Sequence, residues 1–290
     1  MDNPQPHRDA VRRSQARLSL LMLHGARCRT PRIASVGHPC SSASKQCPGA
    51  HPVFPAPPAC VSATQAQVAT VRNATMYLMP FDVETFVARW SHAYHLTSRS
   101  NLPSIILSAG LENASTILTK AGRIQLLRQK RPAHVRVQVG CTEIVLRDQA
   151  PLHAGNVAFQ DGWVFGDLVE ALNGLVFFWP GDAVGPIAYG HRHFERYRLE
   201  EPAILRVPTR DLLTLNREID PLFCRYNSGS PRYSRGAASP RGPRTFVTAA
   251  QFPQSPCHVV ELTFPGPIRL PRSTEMGLSG TGPWNRLFAD

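Results

Sequence analysis

From Met76 onward the chain alternates between stretches with a helical period and stretches with a strand period; before it there is no such rhythm. In FDVETFVARWSHA, Phe81, Phe86, Val87 and Trp90 fall at helical spacing, Asp82 stands at the N-cap position and Glu84 occupies the first turn. AYHLT follows as a short strand. In SNLPSIILSAGL, Asn101 or Ser100 caps a second helix, Pro103 is tolerated in its first turn, and Gly110 ends it in the left-handed conformation. NASTILTKAGRIQLLRQKR predicts a helix broken or bent at Gly122, and VRVQVG and TEIVLRD read as extended. DGWVFGDLVEALNG predicts a helix ending at Asn173 and Gly174, and LVFFWP a buried strand stopped by Pro180. YGHRHFERYR is helical, PAILRVP a strand, TRDLLTL a short helix or turn, and HVVELTF a strand that alternates around Glu261.

This pattern predicts an α+β domain over residues 76–272. Residues 1–75 form a Pro/Ser/Ala-rich zone without hydrophobic period, which buries too little apolar surface to fold and is expected to be disordered. Met76 or Met79 is an alternative translation start. Residues 226–244, YNSGSPRYSRGAASPRGPR, read as a long lid, binding loop or insert. Residues 273–290 are Gly-rich and expected to be a flexible tail.

The formal charge of +12 points to an anionic partner such as a nucleotide, DNA or RNA. Two features dilute that inference. Of the 32 basic residues 29 are arginine, a bias that genome composition can produce, and nine basic residues against two acidic ones sit in residues 1–75. The seven cysteines contain no CxxC pair, so no zinc or redox motif is signalled and no metal is expected. Cys28, Cys40, Cys47, His51 and Cys60 match no finger spacing. LSLLMLHGA is too short to cross a membrane and is followed by basic residues where a cleavage site would need small ones, so a cytoplasmic protein with reduced thiols is expected.

GxGxxG, P-loop, HExxH and GxSxG strings are missing. The remaining candidates are Tyr94 and His95 at a strand end, the aromatic strand Phe177, Phe178 and Trp179, and Glu261. Each also has an ordinary reading. His95 can serve a neighbouring backbone, the aromatic run can be core, and alternation can turn Glu261 to water. His191 and His193 lie two apart in a helical pattern and read as a surface cluster.

YHLTSRSNLPSIILSAGL, with LRDQAPL, LNGLVFFWP, YNSGSP and VVELTF, resembles an uncharacterised bacterial domain family that looks like a distant relative of the ADP-ribosyltransferase fold, the fold of DNA-targeting ADP-ribosyltransferase toxins and RNA 2′-phosphotransferases. The resemblance covers about residues 76–272. It implies an NAD cleft between two split, strongly bent sheets, with NAD as substrate. His95 would bond ribose, Phe177, Phe178 or Trp179 would pack on nicotinamide, and Glu261 would act at the bond that breaks. Arg99, Arg147 and Arg192 are candidates for the pyrophosphate. A catalytically silent nucleotide- or partner-binding module and a basic nucleic-acid-binding protein are the competing expectations.

Overall fold

The computed structural model describes residues 81–289. The basic extension expected over residues 1–75 lies outside them. Along the chain come α1 (Val83–Arg89), β1 (His92–Ser98), α2 (Leu102–Ser108), β2 (Gly110–Leu111), α3 (Ala114–Lys120), β3 (Val135–Val139) and β4 (Thr142–Leu146). Next are β5 (Val157–Phe159), α4 (Phe165–Asn173), β6 (Leu175–Gly181), α5 (Ala188–Arg196), β7 (Pro202–Pro208) and α6 (Thr209–Leu215). The last are β8 (Leu222–Cys224), β9 (Ser239–Arg241), β10 (Glu261–Pro265), β11 (Ile268–Arg269), β12 (Glu275–Gly277) and β13 (Asn285–Arg286). The class is α+β. No helix among the described residues is long and apolar enough to cross a membrane.

The principal sheet has the order β13-β12-β7-β1-β6-β10-β8, with antiparallel neighbours throughout. β6, next to the central strand β1, changes partner along its length. Leu175 to Phe178 pair with β10, whereas Trp179 to Gly181 pair with β1. The β1–β6 ladder ends at Tyr94 opposite Trp179, although β1 continues against β7 as far as Ser98. The β10–β6 ladder begins at Leu262 opposite Phe178. His95 and Glu261 are therefore the first residues beyond the two ladders, on either side of the same point of β6.

One face of this sheet carries the main core, in which Val176, Phe178, Leu205, Val207, Leu262 and Phe264 pack with α1 and α6. Phe86 and Phe81 meet Phe223 edge-on, each with ring centroids 5.0 Å apart. α5 lays Phe194, with Tyr197 just past its end, against Trp179, Tyr94 and Ile204. α3 packs Ile117 and Leu118 on Val137 and Leu146 of the β3–β4 hairpin. The hairpin is tied to the start of α2 by Asn101, which is buried. Its Oδ1 accepts from Val145 N–H at 2.9 Å and its Nδ2 donates to Val145 O at 2.9 Å.

Several details differ from the sequence expectation. Pro180 does not stop β6; it pairs opposite Ala93, and the strand runs on to Gly181. The left-handed residue ending α2 is Ala109, at φ 47° and ψ 38°. Gly110 is required for a different reason: a Cβ there would lie 2.4 Å from Ile268 O in the β2–β11 pair. Asn101 precedes α2 without capping it, because its side chain is committed to Val145. Of residues 273–290, expected to be a flexible tail, the described part up to residue 289 contributes β12 and β13 to the edge of the sheet, and Leu287 and Phe288 are buried. Burying those two side chains outweighs the local glycine content.

Asn101→Ala leaves a buried N–H and C=O of Val145 unpaired. It is expected to lower the unfolding free energy by roughly 2–4 kcal/mol in urea denaturation; a loss below about 0.5 kcal/mol, the level of an ordinary surface change, would contradict the role given to this side chain.

Candidate functional site

A cavity of about 450 Å3 opens where β1, β6 and β10 part, a volume in the range of small-molecule sites. His95, Phe177, Trp179, Arg147 and Glu261 all line it. Alternation along β6 decides which aromatics take part. Phe177 and Trp179 reach the cavity, while Phe178 points into the main core and is fully buried there. Tyr94 likewise does not line the cavity; its hydroxyl donates to Asp182 O, and burial pushes its pKa up to about 12. Of the three candidate arginines, Arg99 and Arg192 are exposed away from the cavity, and Arg147 is the one that lines it.

His95 has a defined state. Its Nδ1 lies 2.8 Å from Phe177 O. A carbonyl oxygen only accepts, so Nδ1 carries the proton and Nε2 presents a lone pair. Desolvation lowers its pKa to about 4, and Arg147 adds to this, against the Phe177 hydrogen bond. The ring is thus a neutral acceptor near pH 7.

Glu261 is 2 % exposed. Oε1 accepts from Ser228 N–H at 3.0 Å, whereas Oε2 has no hydrogen-bond partner in the protein. Desolvation raises its pKa to about 7, with Ser228 and Arg241 acting in the opposite direction. The water-facing reading of this residue is excluded by its burial. Two further buried polar atoms of cavity-lining residues have no hydrogen-bond partner, Trp179 Nε1 and Arg147 Nη2, while the Ser228 side chain lies close enough to Glu261 to act on its carboxyl. Orphaned buried polar atoms are costly and uncommon, and three of them around one cavity point to a polar ligand. Arg147 is held with its guanidinium 3.7 Å over the Tyr197 ring, and desolvation lowers its pKa.

Sequence reasoning missed His193, Tyr197 and Ser228. His193 is not part of a surface cluster: it lines the cavity, with its ring 4.4 Å from that of Trp179. Desolvation, with help from Arg147, Arg196 and His95, depresses its pKa to about 3. The signal was present, because Gly190, His193, Phe194 and Tyr197 follow the i, i+3, i+4, i+7 spacing of a helix's inner face. Ser228 carried no such signal, since it sits in the loop of residues 226–244, whose Asn227–Ser230 turn forms part of the cavity wall.

Outside the cavity, His134 lies between two carboxylates, with Nδ1 3.0 Å from Asp148 Oδ2 and Nε2 2.9 Å from Glu200 Oε2. His134, Asp148 and Glu200 are the one group of possible metal ligands among the described residues, with one ligand atom from each lying within 4.8 Å of the others.

A family model described as "Family of unknown function (DUF7002)" matches residues 91–271. The chain belongs to this family. No curated protein and no solved structure matches it. The DUF7002 segment begins one residue before β1 and ends just after β11, so it contains every residue that lines the cavity. β12 and β13 lie beyond it.

Glu261 makes stability depend on pH. Its folded value lies above the ordinary 4.5, so the folded state keeps a proton that the unfolded chain releases between about pH 4.5 and 7. This contribution is complete below pH 4.5 and is lost as pH rises to about 7. Relative to wild type, Glu261→Gln is expected to gain about 3 kcal/mol across that interval. His95 and His193, with lowered values, act in the opposite direction below pH 6.5, but they do so in both proteins and cancel in the difference. Urea titrations of the two proteins at several pH values test this; a constant difference between them refutes it.

Proposed function

We propose that the protein is an ADP-ribosyltransferase-like enzyme that cleaves NAD, with Glu261 as its catalytic carboxylate. The observation that carries this reading is the convergence of His95, Phe177, Trp179, Arg147 and Glu261 on one cavity in which three buried polar atoms are unpartnered.

The chemistry suits those groups. Breaking the bond between ribose and nicotinamide builds positive charge on the sugar, and nicotinamide departs with the bonding electron pair. A buried carboxylate stabilises that charge more strongly than one in water. Glu261 Oε2 would face the ribose, and the neutral His95 Nε2 would accept from a ribose hydroxyl. Phe177 or Trp179 would pack on the nicotinamide ring, and Arg147 Nη2 would meet a phosphate oxygen. The acceptor's nucleophile then bonds to the sugar carbon and loses its proton. Such a protein acts in the cytoplasm, where Cys141, Cys224 and Cys257, free thiols among the described residues, stay reduced.

A nucleic-acid acceptor is favoured by the segment that contributes Asn227–Ser230 to the cavity wall. Residues 221–260 contain no Asp or Glu, while Arg225, Arg232, Arg235 and Arg244 are exposed and Tyr233 is 61 % exposed. Exposed arginines beside an aromatic ring suit a phosphate backbone with stacking bases.

Calorimetry with NAD followed by a nicotinamide-release assay tests the reading. Wild type is expected to bind and release, at a rate that rises with pH through about 7 as Glu261 ionises. Glu261→Gln should keep its affinity within a few-fold and lose about 10²–10³ in turnover. Binding without release identifies a nucleotide-binding module; no binding overturns the proposal. Removing residues 1–75 is expected to leave nicotinamide release unchanged, whereas a protein working through its basic extension would lose nucleic-acid binding on the same truncation.

A further inference from the structure

We propose that Arg241 is the positioning residue of this site: from β9 it holds the turn that hydrogen-bonds Glu261 and supplies the positive field that lets Glu261 work as a carboxylate. The inference rests on Glu261 being the working group in the reading above. Sequence reasoning had placed Arg241 in a loop of residues 226–244 without assigning it a role.

Arg241 is 1 % exposed, and its charge is committed inside the protein. Nη1 donates to Ser239 Oγ and Pro240 O, both at 2.7 Å, and Nη2 donates to Asn227 O at 3.1 Å. The guanidinium carbon lies 4.3 Å from the centre of the Tyr226 ring. All these acceptors are neutral, and among the described residues no carboxylate lies within ion-pair distance of it. A buried cation without a counter-charge is strongly disfavoured. The carboxylate acting on it through space is Glu261, one peptide unit beyond the Asn227 carbonyl that Arg241 grips: Asn227 O binds Arg241, and Ser228 N–H binds Glu261 Oε1.

The other groups facing Glu261 do not replace this field. Cys224, opposite it in the β8–β10 register, is a buried thiol whose pKa is raised by desolvation and by Glu261 itself, so it stays neutral. Tyr226 is occupied by the two guanidinium groups of Arg225 and Arg241. β6 offers Phe177 and Trp179, which do not titrate, and His95 across the cavity is neutral. The cations that line the cavity are Lys120, Arg131 and Arg147, and none of them is among the groups acting on Glu261; Arg147 acts on the imidazoles and on Tyr197.

The test is carboxyl-carbon NMR of protein labelled at glutamate, with Glu261→Gln to assign the signal. Arg241→Met is expected to move the Glu261 midpoint upward, because the guanidinium's field is lost and the turn that presents Ser228 N–H is released. Arg241→Lys keeps the charge, but its ammonium does not reproduce the planar fork that reaches several acceptors. In that variant the Ser228 amide is expected to exchange with solvent about tenfold faster, equivalent to weakening one hydrogen bond. A folded Arg241→Met protein with an unshifted midpoint overturns the proposal. Should Arg241→Met fail to fold, Arg241→Lys decides: wild-type midpoint together with wild-type Ser228 exchange overturns it. None of these readouts requires NAD. Loss of the transferase reading with the Glu261 shifts intact leaves Arg241 in its role, while nicotinamide release without any shift removes only Arg241.

Discussion

The parting of β1 from β6 is the constraint on which the rest of the site depends. Two antiparallel strands that separate within a sheet release backbone groups which must find other partners, because unpaired buried N–H and C=O groups are strongly disfavoured. At this fork the His95 side chain takes the Phe177 carbonyl, at 2.8 Å, in the region where the β1–β6 ladder has ended. The imidazole thus does two things with its two nitrogens. One closes the fork, and in doing so fixes the tautomer that turns the other toward the cavity as an acceptor. A structural role and a ligand-binding role for His95 are therefore not alternatives; the first determines the chemistry available to the second.

The cavity walls are held by buried polar side chains that join segments distant in sequence. Asn101 fastens the β3–β4 hairpin to the start of α2. Arg131 donates to Arg147 O at 3.0 Å and to Asn173 Oδ1 at 2.7 Å, and Asn173 donates to Leu126 O and Leu127 O. These bonds link α4, the end of β4 and the turn after α3. Burial lowers the Arg131 pKa to about 10, which leaves it charged at neutral pH. Such networks specify one arrangement because a partly satisfied alternative leaves a desolvated polar group. They also explain why a segment as rich in Gly, Ser and Pro as residues 226–244 contributes an ordered wall: its Arg241 is anchored to its own first turn.

Much of the fold was legible in the chain. The Asp82 cap, the bend at Gly122, the end of α4 and the strands around His95, Phe177 and Glu261 follow from local rules of capping, glycine conformation and alternation. The failures share a cause. Pro180 looked like a stop and Gly110 like a cap because local propensity ranks them so, yet neighbouring strands from elsewhere in the sequence set both outcomes. Residues 273–290 looked frayed because their glycines are visible locally, whereas the edge of β7 that receives β12 is not.

The sequence by itself determined the period on which each candidate residue stands: His95 at a strand end, aromatic residues alternating along β6, and Glu261 in a late strand; His193 stands on the inner stripe of α5 but its pattern alone read as surface. Only the tertiary structure decided what those residues face. Periodicity defines two faces of an element without saying what covers either. The change of partner along β6 buried Phe178 in the core, opened Phe177 and Trp179 to a cavity, and left His95 and Glu261 at the ends of their ladders. Alternation alone allowed Glu261 to face water; burial beside Ser228, in the field of Arg241, gives it a carboxyl that titrates at about 7. Desolvation depends on every atom packed around a group, and most of those atoms come from parts of the chain far from Glu261 in sequence.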